Sequence, residues 1–337
     1  MARSALVTQR QLLQLLSSGE FQSGQRVADE LGLSRTAVAN HIKLLQELGL
    51  DIYKVKGRGY RLAQPLSLLD AATIIKLKAK TVPDVLVQSI TDSTNSQLMH
   101  KVTEGTVKAP GYVIVAEAQT AGRGRRGRAW YSPFGASLYF SMYWQLEQGI
   151  QAAMGLSLVV GLAVAKVLQQ QWRLPVRLKW PNDLWFQDRK LGGILIEASP
   201  APGLPDGQRW VVIGVGLNVR PGSAPAGSAS LAEVDPATPP RIGDVWAWMA
   251  PALIHGVQAF ATQGFAPLQA AYAQRDVLLG QSVGLWSTPG QYPADGHPPT
   301  QTGVAQGVDA QGALLVHTEQ GVQAWHSGDV SVRPHTA

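Results

Sequence analysis

The sequence predicts an α+β chain of three domains: a small winged helix-turn-helix, a larger mixed α/β domain and a small β-barrel. Three observations lead there. Helical periodicity up to residue 49 gives way to a short basic hairpin at 52–62, strand-like runs broken by a few long helical stretches fill 85–263, and from about 275 only short strand-like runs with polar turns remain. The boundaries fall at 1–65, 66–272 and 273–337.

In the first domain apolar residues recur at helical spacing over 8–16, with Leu12, Leu13, Leu15 and Leu16 in one stripe, until Ser17-Ser18-Gly19 stops the helix. Ser23 caps a second helix through Leu31, Gly32 turns the chain, and Ser34 caps a third that carries Val38, Ile42, Leu45 and Leu48 inward. From Ser34 onward the outer face of this third helix offers Arg35, Thr36, Asn40, His41 and Lys43, donor-rich side chains of the kind that reach base edges and phosphates in a major groove. Runs 52–55 and 60–62 flank Lys56-Gly57-Arg58-Gly59, a hairpin whose basic tip, with Lys56 and Arg58, would touch the DNA backbone. A helical protein-binding domain with an ordinary basic face is the plainer alternative.

Gln64-Pro65 is expected to be the linker and 66–79 the helix entering the second domain. Strands are expected there at 85–90, 112–118, 138–144, 176–178, 191–197 and 210–217, and helices at 96–103, 152–171 and 245–263, which suits a mixed sheet rather than a doubly wound one. Stretches 201–208 and 221–230, rich in Pro, Gly, Ala and Ser, are expected to be exposed loops away from the chemistry. In the third domain strands are expected at 283–286, 303–307, 313–318, 321–325 and 330–333, with four prolines in 287–302 marking an insertion at a barrel turn.

Composition narrows the function classes. The absence of cysteine excludes disulfides, thiolate metal sites and a cysteine nucleophile, and no His/carboxylate cluster points to a structural metal. No apolar signal core opens the chain, and its most apolar stretch, 154–165, is well short of the roughly 20 residues of a membrane span, so a cytoplasmic protein without membrane contact is expected. The net charge is +6, and residues 1–65 supply +4 of it, with 9 Lys/Arg against 5 Asp/Glu. A basic end piece points to a polyanionic partner.

The chemistry centres on 122–130, Gly-Arg-Gly-Arg-Arg-Gly-Arg-Ala-Trp, four arginines and three glycines without an acid in nine positions. Such a loop is expected to be floppy until an anion orders it: glycine admits oxyanions close to the backbone, guanidinium grips phosphate or carboxylate through paired donors, and the indole stacks on a base. Three readings compete. Gly122, Gly124 and Gly127 spell G-x-G-x-x-G, yet a dinucleotide site needs a helical crossover, and 128–137, with Pro133 and Gly135, is too short for one. A solvated loop or sequence-blind nucleic-acid patch is the second reading, and a loop folding over a bound nucleotide or acyl phosphate is the third.

Further motifs decide for the third: Asp92-Ser93-Thr94-Asn95 after an apolar run, Gln119 just before the loop, and Lys179-Trp180-Pro181-Asn182-Asp183-Leu184 followed by Lys190-Leu191-Gly192-Gly193-Ile194-Leu195-Ile196-Glu197. In this order, and over nearly the whole chain, they closely resemble the biotin protein ligases, more narrowly the bifunctional bacterial kind that also represses the biotin operon.

The resemblance implies a class II synthetase-like central domain, an SH3-like C-terminal barrel and two reactions. Biotin carboxylate attacks the α-phosphate of ATP, giving biotinyl-AMP and pyrophosphate, and a lysine amine of an acceptor then takes the biotinyl group; Mg²⁺ arrives with ATP. Ser93, Thr94, Asn95 and Gln119 are assigned to the ureido head of biotin, which needs donors and acceptors when buried, and Arg123, Gly124 and Arg125 to its other end. Lys190 is placed against the carboxylate and α-phosphate, with Arg125, Lys179 and Asp183 completing the catalytic set and Asp183 receiving or orienting the incoming amine. Gly122, Arg126, Arg128, Trp130, Asn182, Asn218 and Arg333 are assigned to ATP or the adenylate, Trp130 by stacking on adenine. Plainer readings make Lys179 a surface partner of Asp183, Asp183 a turn cap, and Trp130, Gly214 and Gly216 packing residues.

The implied partners are the biotin carboxyl carrier protein of acetyl-CoA carboxylase, operator DNA of biotin genes and a second copy of the chain, paired along the central sheet edge once the adenylate orders the loops. Rival readings are a lipoate ligase-like enzyme, a biotin-sensing repressor with a weak or inactive ligase domain, and a ligase with a vestigial helix-turn-helix.

Overall fold

Leu12, Leu13 and Leu16 of helix α1 (Ala2–Leu16) are fully buried against Val27, Val38 and Leu45, which closes the three-helix core expected from their spacing. This computed structural model describes residues 2–63, 66, 68–69, 84–107, 109–146, 153–199, 209–220, 224–235, 237–287, 296–326 and 330–334. The expected helix at 66–79 lies almost wholly outside them, as does 201–208.

Helix α2 (Gly24–Leu31) starts where Ser23 Oγ accepts from the Arg26 N–H and ends at Gly32, whose φ of 62° is left-handed. Helix α3 (Arg35–Glu47) starts where Ser34 Oγ accepts from the Ala37 N–H. The Ser34 hydroxyl is therefore engaged as a cap, while Arg35, Thr36, Asn40 and Lys43 are exposed and His41 is half-buried. Strands β1 (Ile52–Val55) and β2 (Gly59–Leu62) pair as the wing; Lys56 is exposed at its tip, and the Arg58 guanidinium lies 4.1 Å from the centre of the Phe21 ring.

The central sheet runs in the order β3-β4-β5-β9-β8-β7-β6. Its strands are β3 (Val85–Thr91), β4 (Val113–Gln119), β5 (Ser137–Leu146), β6 (Arg177–Lys179), β7 (Asp183–Phe186), β8 (Arg189–Ser199) and β9 (Arg209–Asn218). Only β3 and β4 are parallel, bridged by α4 (Thr94–Thr103); every other pairing is antiparallel, so the sheet is mixed as expected. Period-two alternation divides its faces: Leu138, Phe140 and Met142 of β5 join α5 (Ala153–Trp172) and α6 (Ile242–Gln263), whereas Tyr143 packs with Leu98 of α4. A short α7 (Gln269–Ala273) follows. Strand β7 was not anticipated; Gln187 and Asp188, with φ of 48° and 57°, form the two-residue turn that folds it onto β8.

The last strands, β10 (Ser282–Trp286), β11 (Gln301–Val308), β12 (Leu314–Thr318), β13 (Gly321–Trp325) and β14 (Ser331–Pro334), form an antiparallel sheet in the order β13-β12-β11-β10-β14. Val283, Leu285, Leu314 and Val316 belong to the same apolar core as α5 and α6, so this sheet is anchored rather than tethered. Trp180 Nε1 donates to Gly312 O at 3.0 Å across that junction. Among the described residues no helix is long and apolar enough to cross a membrane.

A buried charge joins the winged helix to the sheet, beside the apolar contact of its core with Ala118 and Phe134. Arg10 of α1 donates to Glu117 at 3.2 Å, Ser89 Oγ at 3.0 Å and Leu69 O at 2.6 Å, and Glu117, on β4, is 1% exposed. Burial raises the Glu117 carboxyl above its usual range, and Arg10 pulls it back down. Arg10→Ala is expected to cost about 3 kcal/mol by leaving this carboxylate unpaired. A raised folded-state value means the penalty acts above it and fades as falling pH protonates Glu117, so urea unfolding at neutral and acidic pH checks both magnitude and sign.

Candidate active site

A cavity of about 650 Å³ opens where the ends of β4, β7, β8, β9 and β14 meet the Arg/Gly loop. One end is a wall of amides and hydroxyls. Gln119, last residue of β4, accepts from the Thr94 N–H at 2.9 Å and donates to Ser132 Oγ at 2.9 Å; Ser93 caps α4; Ser141 of β5 lies 2.7 Å from Thr94 Oγ1 and also bonds Asn95 Oδ1. Asn95 fits because β9 carries Gly214 opposite it: a Cβ there would meet Asn95 Oδ1 at 2.1 Å. A bulkier residue at 214 would fill this end of the cavity.

The Arg/Gly loop carries hydrogen bonds of its own. Arg123 and Ala129 form a β-bridge, Gly124 N–H donates to Arg128 O at 2.7 Å, and the chain turns at Arg126 with φ of 57°. Arg125 points inward and donates to Asn182 Oδ1 at 3.3 Å; burial first, then the nearby Arg126, lowers its guanidinium to about 10. The indole of Trp130 lies on the sheet over Gly193 and Gly216, where a Cβ on Gly216 would come within 2.6 Å of the ring. Its Nε1 is buried without a protein partner.

Lys190 and Asp183 meet at 2.7 Å, with the Lys190 ammonium 5.2 Å from the centre of the Trp130 ring. Lys179, which a plainer reading put on the surface, is 3% exposed and sits over the Trp185 ring at 4.4 Å. Burial, then the nearby Arg333, lowers its ammonium to about 8. Asn182 Nδ2 donates to Ile194 O at 2.6 Å, and Asn218 Nδ2 to Ala229 O at 3.0 Å, leaving Asn218 Oδ1 buried without a protein partner. Arg333 reaches the cavity from β14.

The cavity thus gathers every assigned ligand and catalytic residue except Gly122. Gly122 lies just outside that lining, where a Cβ would strike Trp130 O at 2.4 Å and its own carbonyl accepts from the Trp130 N–H. The stretch 221–230 was expected to lie away from the chemistry, but its Ala224, Pro225 and Ser228 line the cavity and Ala229 is buried, with Ala229 N–H donating to Lys190 O. Sequence reasoning also missed Ser132, Ser141, Trp185 and the partnerships of Glu197. A serine on the face of β5 toward Asn95 was the only available signal.

Charge is the dominant property. Among the described residues seven cationic side chains line the cavity, Arg123, Arg125, Arg126, Arg128, Lys179, Lys190 and Arg333, against one carboxylate, Asp183. Among the described residues no group of three or more His, Asp or Glu is placed to hold a metal.

Comparison with known proteins agrees with this geometry. Family models match the chain in order: an HTH domain over residues 8–61, the biotin/lipoate A/B protein ligase family over 87–218, and the biotin protein ligase C terminal domain over 294–333. The bifunctional ligase/repressor BirA of Escherichia coli K12 is 38% identical over 331 residues, covering 96% of each chain. The biotin–[acetyl-CoA-carboxylase] ligase of Mycobacterium tuberculosis is 32% identical, covering 73% of this chain and 87% of its own. Among solved structures, the biotin protein ligase from Aquifex aeolicus in complex with biotin and ATP aligns with a TM-score of 0.61 at 27% identity, covering 75% of this chain and 100% of that one. On its fold, its cavity and these likenesses, the chain belongs to the biotin protein ligase family, among the bifunctional ligase/repressors.

Proposed function

We propose that this chain joins biotin to ATP as biotinyl-5′-AMP, transfers the biotinyl group to a lysine of a biotin carboxyl carrier domain, and, with the adenylate bound, represses biotin genes. The carrying observation is seven cations against one carboxylate in a cavity that also holds a wall of amides and hydroxyls. A ligand with a polar uncharged head and a polyanionic tail is what such a cavity selects.

In the first step a biotin carboxylate oxygen bonds to the α-phosphorus and pyrophosphate leaves. Lys190 and Arg125 neutralise the carboxylate and α-phosphate as they meet, while Lys179, Arg333 and the outer loop arginines hold the phosphates. Mg²⁺ would enter as MgATP and offset phosphate charge, and Asp183, the one carboxylate among the described lining residues, would be the side chain able to meet it. In the second step the acceptor amine attacks the acyl carbon, AMP leaves, and the amine proton passes to Asp183 or water. Trp130 stacks on adenine and Asn218 Oδ1 accepts from it, which uses its unpartnered oxygen. The proposed domain limits are 1–65, 66–272 and 273–337, the last an SH3-like barrel, a reading supported by its five short antiparallel strands.

The lowered Lys179 gives a pH signature. Its positive charge is needed to hold phosphate, so kcat/KM for ATP is expected to fall as pH rises through about 8, and Lys179→Arg to remove that limb. The sign is fixed: deprotonation above the folded value removes the charge. A pH–rate profile of pyrophosphate exchange checks it.

The strands of β7 and β8 pair only from Arg189 to Gly193, so 195–199 of β8 has no strand on that side among the described residues. A second copy adds there when the adenylate orders the neighbouring loops, and two winged helices then span a palindromic operator. Sedimentation is expected to show a dimer with biotin and ATP present; a monomer at concentrations that occupy operator DNA would count against it. Biotinylation of a carrier domain, measured beside operator footprinting, tests the two activities together.

A further inference from the structure

Glu197 lies on β8, outside every role assigned above, yet its two oxygens join two walls of the cavity. Oε1 pairs with the Arg123 guanidinium of the Arg/Gly loop, and Oε2 accepts from Asn95 Nδ2 at 2.9 Å. Arg123 Nη1 also donates to Ser96 Oγ at 2.9 Å on α4, so the loop is strapped to the start of that helix at two points. The Arg123 guanidinium is thereby held at the edge of the cavity, between Glu197 and Ser96.

We propose that Glu197 is a positioning residue for biotin, acting through Asn95 and Arg123. An ionised carboxylate only accepts, so it fixes the Asn95 amide with Nδ2 toward Glu197 and Leu195 O, and Oδ1 toward Ser141 and the lining residue Gly214. Oδ1 in that orientation is an acceptor for a ureido N–H. The same carboxylate draws Arg123 down, which seats the loop backbone at the opposite end of the ligand. One side chain thus sets both the polarity of the head pocket and the closure of the loop.

The inference rests on the ligase reading for its biotin arm alone, because loop closure is measurable without substrate. Glu197→Gln keeps the shape but lets the amide donate, so the Asn95 flip is no longer fixed. In this variant the KM for biotin is expected to rise about tenfold with little change in kcat. Trypsin cleavage within 123–128 of the ligand-free protein is expected to accelerate about threefold, a modest gain because the ion pair is partly exposed. Arg123→Gln, changed at the exposed end, should accelerate cleavage at the remaining arginines while moving biotin KM less. The double exchange Arg123→Glu with Glu197→Arg should restore slow cleavage but not biotin KM, because arginine cannot accept from Asn95. Unchanged cleavage or unchanged biotin KM in Glu197→Gln would overturn the proposal. If the wild type takes no biotin while Glu197→Gln still opens the loop, the ligase reading fails and the strap stands; if the wild type ligates and cleavage is unchanged, the strap fails and the ligase reading stands.

Discussion

Lys190→Ala is expected to lower kcat for biotin-dependent pyrophosphate exchange by about 10²–10³, the cost typical of removing one fixed donor from a developing charge. The reason is geometric. Lys190 reaches the cavity from β8, where it is held by Asp183 at 2.7 Å and stands 5.2 Å from the centre of the Trp130 ring; in the proposed complex its ammonium would lie between the acyl carboxylate and adenine. Removing it also takes from Asp183 its hydrogen-bonded cation, leaving Arg125, Lys179 and Arg333 as the nearby positive charges. Lys190→Arg should recover only part of the rate, because a planar guanidinium cannot replace a compact ammonium in the same space. Single-turnover formation of labelled adenylate separates this loss from weaker binding, and a full-rate Lys190→Ala protein would remove Lys190 from the chemistry.

Arg125→Ala is expected to shorten adenylate residence by about 10²-fold, with a smaller effect on operator affinity measured at saturating adenylate. Arg125 is the loop arginine that turns inward, bonded to Asn182 and lowered to about 10 chiefly by burial. Burial and the neighbouring Arg126 disfavour this cation and Asp183 favours it, so the adenylate's phosphate adds to the stabilisation that Asp183 gives, and alanine forfeits that gain. Release of labelled biotinyl-AMP from a stalled complex measures the effect. Equal residence times would show that the loop's backbone, not this side chain, retains the ligand.

Much of the fold was legible because local rules and tertiary packing agree. Ser23 and Ser34 stand as caps where hydroxyl oxygens accept free helix N–H groups, and the strands of the last sheet start and stop at the turns their Gly and Asp residues predict. Strand β7 was hidden because Trp185 and Phe186 follow Asp183 too closely to show alternation, and its turn uses Gln187 and Asp188 rather than glycine. The composition of 224–228 says that it is a loop but not where the loop lands; Ala229 settles that through its bond to Lys190 O. Glu197 was invisible for another reason: its partners are 102 and 74 residues away, and only the sheet brings them together. The packing demand on Gly122 was invisible because a glycine in a phosphate-like motif and a glycine cramped by a neighbouring carbonyl look alike in sequence.

The central claim is that one cation-lined cavity activates biotin. Its most direct measurement is ATP–pyrophosphate exchange by the full-length protein with biotin, with lipoate and with neither. Exchange that requires biotin and disappears in Lys190→Ala is the predicted result; exchange that lipoate supports equally, or that proceeds unchanged without Lys190, would contradict it.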